Sequence, residues 1–170
     1  MTVRDFLSIT NLSPDNLEKV LRRALQFKNG AVSAALEGRS VALLFEKPSL
    51  RTRVSFEVAM QQLGGSGLYL GPQEVGLGVR EPVSDVAGVL CRWVDAIVCR
   101  TFHHRNLEEL SLHSTVPVIN ALSDDEHPCQ ALADLLTILE YKKQFDNLVF
   151  AFVGDGNNVA TSLALGAASV

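Results

Sequence analysis

The chain has 170 residues, 47% of them hydrophobic and 20% charged, the balance of a globular chain long enough to bury one full core. Fifteen basic side chains stand against nineteen acidic ones, a formal net charge of -4, and no basic run forms a track for a phosphate backbone, which excludes nucleic acid as the natural partner. No apolar run approaches membrane-spanning length, and the start Met1-Thr2-Val3-Arg4-Asp5-Phe6-Leu7 has neither a signal-peptide core nor a transit composition, so no membrane partner and a cytoplasmic location are the expectations.

The first predicted element is a helix. Ser13 supplies a hydroxyl N-cap, Pro14 fits the first helical position, and Asp15 places an acid in the first turn. Leu17, Val20, Leu21 and Leu25 repeat at helical spacing up to Asn29-Gly30, so one face packs while Lys19, Arg22 and Arg23 stay in water. Val41-Ala42-Leu43-Leu44-Phe45 is a continuous apolar run of the kind found in a strand covered on both faces, which suggests a parallel sheet. A helix over residues 50–63 follows, with Phe56, Ala59, Met60 and Leu63 as its core face. Gly64-Gly65 and Gly71-Pro72 then punctuate the chain, and residues 73–81, with Gly76 and Gly78, read as a mobile loop.

Further strands are expected at 95–98, 116–120 and 149–153, and further helices at 83–93, 107–113, 130–143 and 159–170. This alternation is that of an α/β fold, a parallel sheet flanked by helices. One βα unit cannot form its own core, so the strand and helix after residue 145 read as the first unit of a second, Rossmann-like domain that is mostly absent. The division expected is 1–144 and 145–170.

Ligands bind outside the carboxyl ends of the strands in an open parallel sheet, and the polar segments of this chain fall there. Residues 47–53, 100–104, 123–130 and 154–158 each follow a predicted strand. In Lys47-Pro48-Ser49-Leu50-Arg51-Thr52-Arg53, Ser49 can cap the helix, leaving first-turn N–H groups, the Thr52 hydroxyl and the Arg51 guanidinium for a phosphate-like dianion. Read alone, the segment is equally a capped helix with surface arginines and an Arg53–Glu57 pair.

Cys91, Cys99 and Cys129 are an odd set without CxxC spacing, hence reduced thiols, and Cys91 and Cys99 read as small buried hydrophobes. His103, His104 and His113 lack the spacing and companions of a metal site. Gly154-Asp155-Gly156-Asn157-Asn158 lacks the third glycine of a dinucleotide turn, Thr161 lying near where it is needed. Trp93 and Phe102 read as packing residues.

The run Phe45-Glu46-Lys47-Pro48-Ser49-Leu50-Arg51-Thr52-Arg53-Val54-Ser55-Phe56-Glu57 resembles the carbamoyl-phosphate motif of the aspartate/ornithine carbamoyltransferase family, whose usual core is Ser-Thr-Arg-Thr-Arg. Arg100-Thr101-Phe102 and His127-Pro128-Cys129-Gln130 follow in the family's order. The His-Pro-Cys-Gln form resembles the ornithine branch, the aspartate enzymes typically carrying threonine at the third place, so Cys129 reads as a specificity marker and not a nucleophile. Leu50 departs from the motif, losing a hydroxyl contact but keeping a backbone N–H.

The resemblance implies transfer of the carbamoyl group from carbamoyl phosphate to L-ornithine, without metal or organic cofactor. It places carbamoyl phosphate on Ser49, Leu50, Arg51, Thr52, Arg100, His127 and Gln130, with Arg51, Arg100 and His127 as the catalytic set, and the ornithine α-amino-acid end on Asn158. It also implies a trimer-based homo-oligomer. Gly76 stands where many ornithine enzymes place a glutamine or histidine that reaches the neighbouring subunit's carbamoyl phosphate, leaving Arg80 as a substitute or the contact absent. The family's ornithine-gripping loop and a distal cysteine motif would lie in the missing domain, so the expectation is a chain that binds donor weakly without completing transfer. Two other readings stay open, a carbamoyltransferase for aspartate, acetylornithine or putrescine, and a non-catalytic anion-binding or assembly module.

Overall fold

The computed structural model describes residues 5–170; Met1 to Arg4, part of the start read above as free of a targeting signal, lie outside it. Phe6 forms an isolated parallel bridge to Ile119 at the sheet edge, and Ser8 and Asn11 close a capping box around a 3-10 turn at Ile9–Asn11. Helix α1 (Pro14–Lys28) starts as its sequence dictates, the Ser13 hydroxyl accepting from the Asn16 N–H. Leu17 and Leu21 are buried, whereas Val20 is 40% exposed, so the packed face is narrower than the periodicity suggested.

Four parallel strands form one sheet in the order β2-β1-β3-β4. They are β1 (Ser40–Phe45), β2 (Ser66–Leu70), β3 (Ala96–Arg100) and β4 (Val118–Leu122). The helices between them are α2 (Leu50–Gln62), α3 (Pro72–Val75), α4 (Val83–Leu90) and α5 (His104–His113), and α6 (Pro128–Lys142) follows β4. Ala42, Leu44, Ile97, Cys99 and Val118 pack on one side with Ala87 of α4 and Leu107 and Leu110 of α5. Val41, Leu43, Phe45 and Val98 face the other side, against Met60 and Phe56 of α2. Both faces of β1 are therefore covered, which is why its sequence is uninterruptedly apolar; each fully buried leucine contributes about 1.5–3 kcal/mol. A third cluster joins α1, the 3-10 turn, α6 and the last helix, α7 (Asn158–Ala167), through Ile9, Leu17, Leu21, Ala131, Leu135 and Leu165.

The structure departs from the sequence reading at several further places. Strand β2 was not anticipated: it lies at the sheet edge, is only partly buried, and includes Gly67, so it carries no continuous apolar signal. Residues 149–153 form no strand and pair with no described residue, and Val149 and Val153 are almost fully exposed. Residues 73–81 hold a helical turn and a tight loop, in which Gly78 N–H donates to Glu81 O (2.9 Å) and Arg80 N–H to Gly76 O (2.7 Å), with Leu77 buried beneath. Gly76 is required there, because its φ is +52° and a Cβ would lie 2.9 Å from that of Arg80. Finally, Trp93 is 72% exposed and Phe102 44%, so the packing role expected of both is at most partial. No helix among the described residues is long and apolar enough to cross a membrane.

Candidate functional site

The strand order reverses at β1. The chain moves to one side of it for β2 and to the other for β3 and β4, so the crevice between the carboxyl ends of β1 and β3 is the topological switch point where ligands of open α/β sheets bind. Phe45 pairs with Arg100 at these strand ends, and the next N–H, that of Glu46, donates to the Arg100 carbonyl (2.8 Å). A register irregularity at Cys99/Arg100 pairs Arg100 with Leu122, and such a bulge re-aims side chains at the rim of a sheet.

Three segments converge on the crevice. Ser49 caps α2, its Oγ accepting from the Thr52 N–H (3.4 Å) while its hydroxyl and that of Thr52 lie 3.0 Å apart. Arg100 reaches across, Nε donating to the Lys47 carbonyl (3.2 Å) and Nη1 to Thr52 Oγ1 (3.5 Å). His127 and Gln130 enter from the start of α6. Ser49, Arg51, Thr52, Arg100, His127 and Gln130 line one cleft of about 410 Å³. Leu50 does not: its side chain is 78% exposed on the outer face of α2. Asn158 is not among the lining residues either, its Nδ2 donating to the Ser123 carbonyl (2.7 Å) beneath the rim.

A larger apolar cleft of about 540 Å³ lies between α2 and the sheet, but the ionic groups on its wall, Arg39 and Asp95, already pair with each other (2.6 Å). The smaller cleft is the one with unspent donors. Burial lowers the Arg100 pKa from its ordinary value, the cost of desolvating a cation that an incoming anion would offset. Burial first, and then the Arg100 charge, hold His127 below the usual histidine range, with Asp134 opposing. His127 Nδ1 is buried without a partner among the described residues, so a neutral ring carries its proton at lower cost on Nε2.

The sequence reading missed several residues here. Ser55, Phe56, Ala121, Leu122 and Ala133 complete the lining, together with Cys129, which the sequence had singled out only as a specificity marker. Burial pushes the Cys129 thiol up to about 12, and it donates to the Asn120 carbonyl (3.4 Å), the behaviour of a packing group. Asp134 accepts from Gln130 Nε2 (3.0 Å), a pairing legible as an i,i+4 relation on α6. Glu46 ties the strand ends together, accepting from the Thr101 hydroxyl and from Asn106 Nδ2 (3.4 Å). Lys47 pairs with Asp124 (3.0 Å) and lies over the Phe102 ring (4.5 Å), so Phe102 partners a cation at the rim. Arg53 turns outward to Glu57 (3.0 Å) and the Tyr69 ring (3.8 Å). Arg80 is held by the Glu74 carbonyl (3.2 Å). Cys91 is partly exposed and not fully buried, and its thiol is lowered chiefly by a hydrogen bond with Thr115. His104 Nδ1 lies 2.8 Å from Ser123 Oγ, and no group of three or more possible metal ligands occurs among the described residues.

Fold and cleft together define a parallel α/β domain with a cleft lined by Arg51, Arg100 and His127 at its switch point. Residues 4–140 match the family model described as the aspartate/ornithine carbamoyltransferase, carbamoyl-P binding domain, and the chain belongs to that family. It is 51% identical over 166 residues to an ornithine carbamoyltransferase of Methanocaldococcus jannaschii, covering 96% of this chain and 54% of that protein. It is 49% identical over 166 residues to that of Haloquadratum walsbyi, covering 98% of this chain and 55% of that protein. Among solved structures, ornithine carbamoyltransferase from Pyrococcus furiosus superposes with a TM-score of 0.93 at 47% identity, over 97% of this chain and 54% of that one. The chain thus spans about half the length of the relatives it matches.

Proposed function

We propose that this chain provides the donor half of an ornithine carbamoyltransferase, binding carbamoyl phosphate and presenting it to the side-chain amine of L-ornithine, with citrulline and phosphate as products. The observation that carries the reading is the convergence of Ser49, Arg51 and Thr52 with Arg100, His127 and Gln130 on one cleft at the switch point. In this reading the phosphate rests on the start of α2, held by first-turn N–H groups including that of Leu50, the Ser49 and Thr52 hydroxyls and the Arg51 guanidinium. The neutral amine attacks the carbamoyl carbon. Negative charge collects on the carbamoyl oxygen, where Arg100 and the Nε2–H of His127 stabilise it; the C–O bond to phosphate then breaks, and the departing phosphate takes the proton that the attacking nitrogen must lose. Gln130 turns from Asp134 to hold the carbamoyl amide. Asn158, whose Nδ2 is committed to Ser123, offers Oδ1 to the α-ammonium of ornithine. These steps use side chains and backbone alone.

Residues 145–170 are read as the entrance to a second domain that supplies the amine side, and transfer as needing the length that the relatives carry beyond the match. A trimer-based assembly is part of the same proposal; Leu50, Val54 and Val58, exposed at i, i+4 and i+8 on α2, are suited to a subunit contact. So is a place in arginine synthesis. Calorimetric titration with carbamoyl phosphate tests the donor site, and no heat at millimolar ligand would sink it. A citrulline assay tests the division of labour: turnover by these 170 residues alone would refute it, and product with aspartate, acetylornithine or putrescine in place of ornithine would reassign the amine.

A further inference from the structure

His127 is the residue in the cleft whose placement is least explained by its own surroundings. It occupies the N-cap of α6 but makes no side-chain capping bond, and its Nδ1 is buried without a partner. Its ring is thus oriented by no hydrogen bond of that nitrogen. Its backbone, in contrast, is tied to α7. The His127 N–H donates to Ser162 Oγ (2.9 Å), and the same hydroxyl donates to Glu126 Oε2 (2.9 Å), an oxygen that also accepts from the Ile9 N–H (3.3 Å). Ser162 is fully buried and Glu126 only 8% exposed. A hydroxyl with one proton, given to a carboxyl and receiving a backbone N–H, has its orientation fixed from both sides. One turn earlier on α7, Asn158 Nδ2 donates to the Ser123 carbonyl (2.7 Å). Helix α7 therefore grips the 123–127 loop at both ends, from two positions four residues apart on one face.

We infer that Ser162, with Glu126 as its anchor, is the positioning residue for His127, so that α7 sets where the histidine meets the carbamoyl oxygen. The inference rests on the proposed role of His127 as a donor to that oxygen. Ser162→Ala leaves the His127 N–H and the Glu126 carboxyl each short of a partner, and the loop relaxes to find others. Three variants of the chain separate positioning from folding. Ser162→Ala weakens carbamoyl phosphate about tenfold by calorimetry and speeds hydrogen exchange at the His127 amide. Ser162→Thr, which keeps the hydroxyl, restores most of both. Leu165→Ala, in the packing of α7 away from the loop, lowers Tm but leaves affinity and the His127 amide as they were. Wild-type affinity together with an unchanged amide in Ser162→Ala overturns the inference, as does an equal loss of affinity in Leu165→Ala. If the wild-type chain takes up no carbamoyl phosphate, the functional reading falls, while the His127 amide and ring resonances in Ser162→Ala still decide the positioning.

Discussion

Arg100 is where the constraints on the site meet, since one guanidinium bonds the Lys47 carbonyl, reaches the Thr52 hydroxyl and adds to the lowering of the His127 pKa that burial begins. Arg51 contrasts with it, being exposed at the cleft mouth and free to swing onto a ligand. Replacing Arg51 with Ala is expected to raise the Kd for carbamoyl phosphate about 10- to 100-fold, the worth of a lost charge-assisted pair, as calorimetry will read. His127 gives a pH prediction with a definite sign. Its folded pKa is depressed, so the unfolded chain takes up that proton more readily; the resulting destabilisation is absent above the ordinary histidine value and grows as pH falls through it. Tm should therefore drop more steeply between about pH 7 and pH 5 in the wild type than in His127→Gln, and parallel curves would contradict a buried neutral ring. The thiols sort themselves similarly. Cys91, partly exposed with a lowered pKa, should react with iodoacetamide first, Cys129, whose thiol burial raises although it borders the cleft, more slowly, and fully buried Cys99 only on unfolding. Mass spectrometry of the alkylated native protein distinguishes them.

Helix ends and strand ends do the placing. Ser13, Ser49 and Asn157 all cap by side chain, and Asn157 accepts from two N–H groups, those of Val159 and Ala160, at 3.0 Å each. Asn157→Ala should cost about 1 kcal/mol, which for a chain of this size is roughly 2–4 °C in Tm. The entry to β2 is less forgiving. A Cβ at Gly65 would lie 2.6 Å from Met60 Cε and 2.9 Å from the carbonyls of Arg39 and Leu36, so the clash involves backbone as well as a flexible methyl. Gly65→Ala should destabilise by about 1–3 kcal/mol in a denaturant titration, and a neutral result would mean that the β1–β2 edge yields freely. Capped helices were legible in the sequence because the signal is local, a hydroxyl or amide one residue before an amphipathic run. Strand β2 was not, because an edge strand is only partly buried and is defined by its pairing with β1. Residues 149–153 show the converse, since apolar β-prone side chains do not make a strand without a neighbour to receive their hydrogen bonds.

For the molecule as a whole, binding at the proposed donor site would be coupled to stability. Carbamoyl phosphate at a hundred times its Kd should stabilise the native state by about 2.7 kcal/mol, read as a higher Tm, and Arg51→Ala should cut that to about 0.4–1.4 kcal/mol at the same concentration. The amino-acid sequence by itself determined the α/β class, the capped helix start at Ser49-Leu50-Arg51-Thr52-Arg53 and the three motifs by which the chain resembles its family, because these depend on residue types at fixed short spacing. Only the tertiary structure decided that Arg100 and His127 share a cleft with Thr52, that Leu50 and Asn158 do not, and that Ser162 holds the His127 backbone. Those relations arise from strand order, a register irregularity and the packing of α7 on α6, which join residues tens of positions apart and leave no periodic trace along the chain.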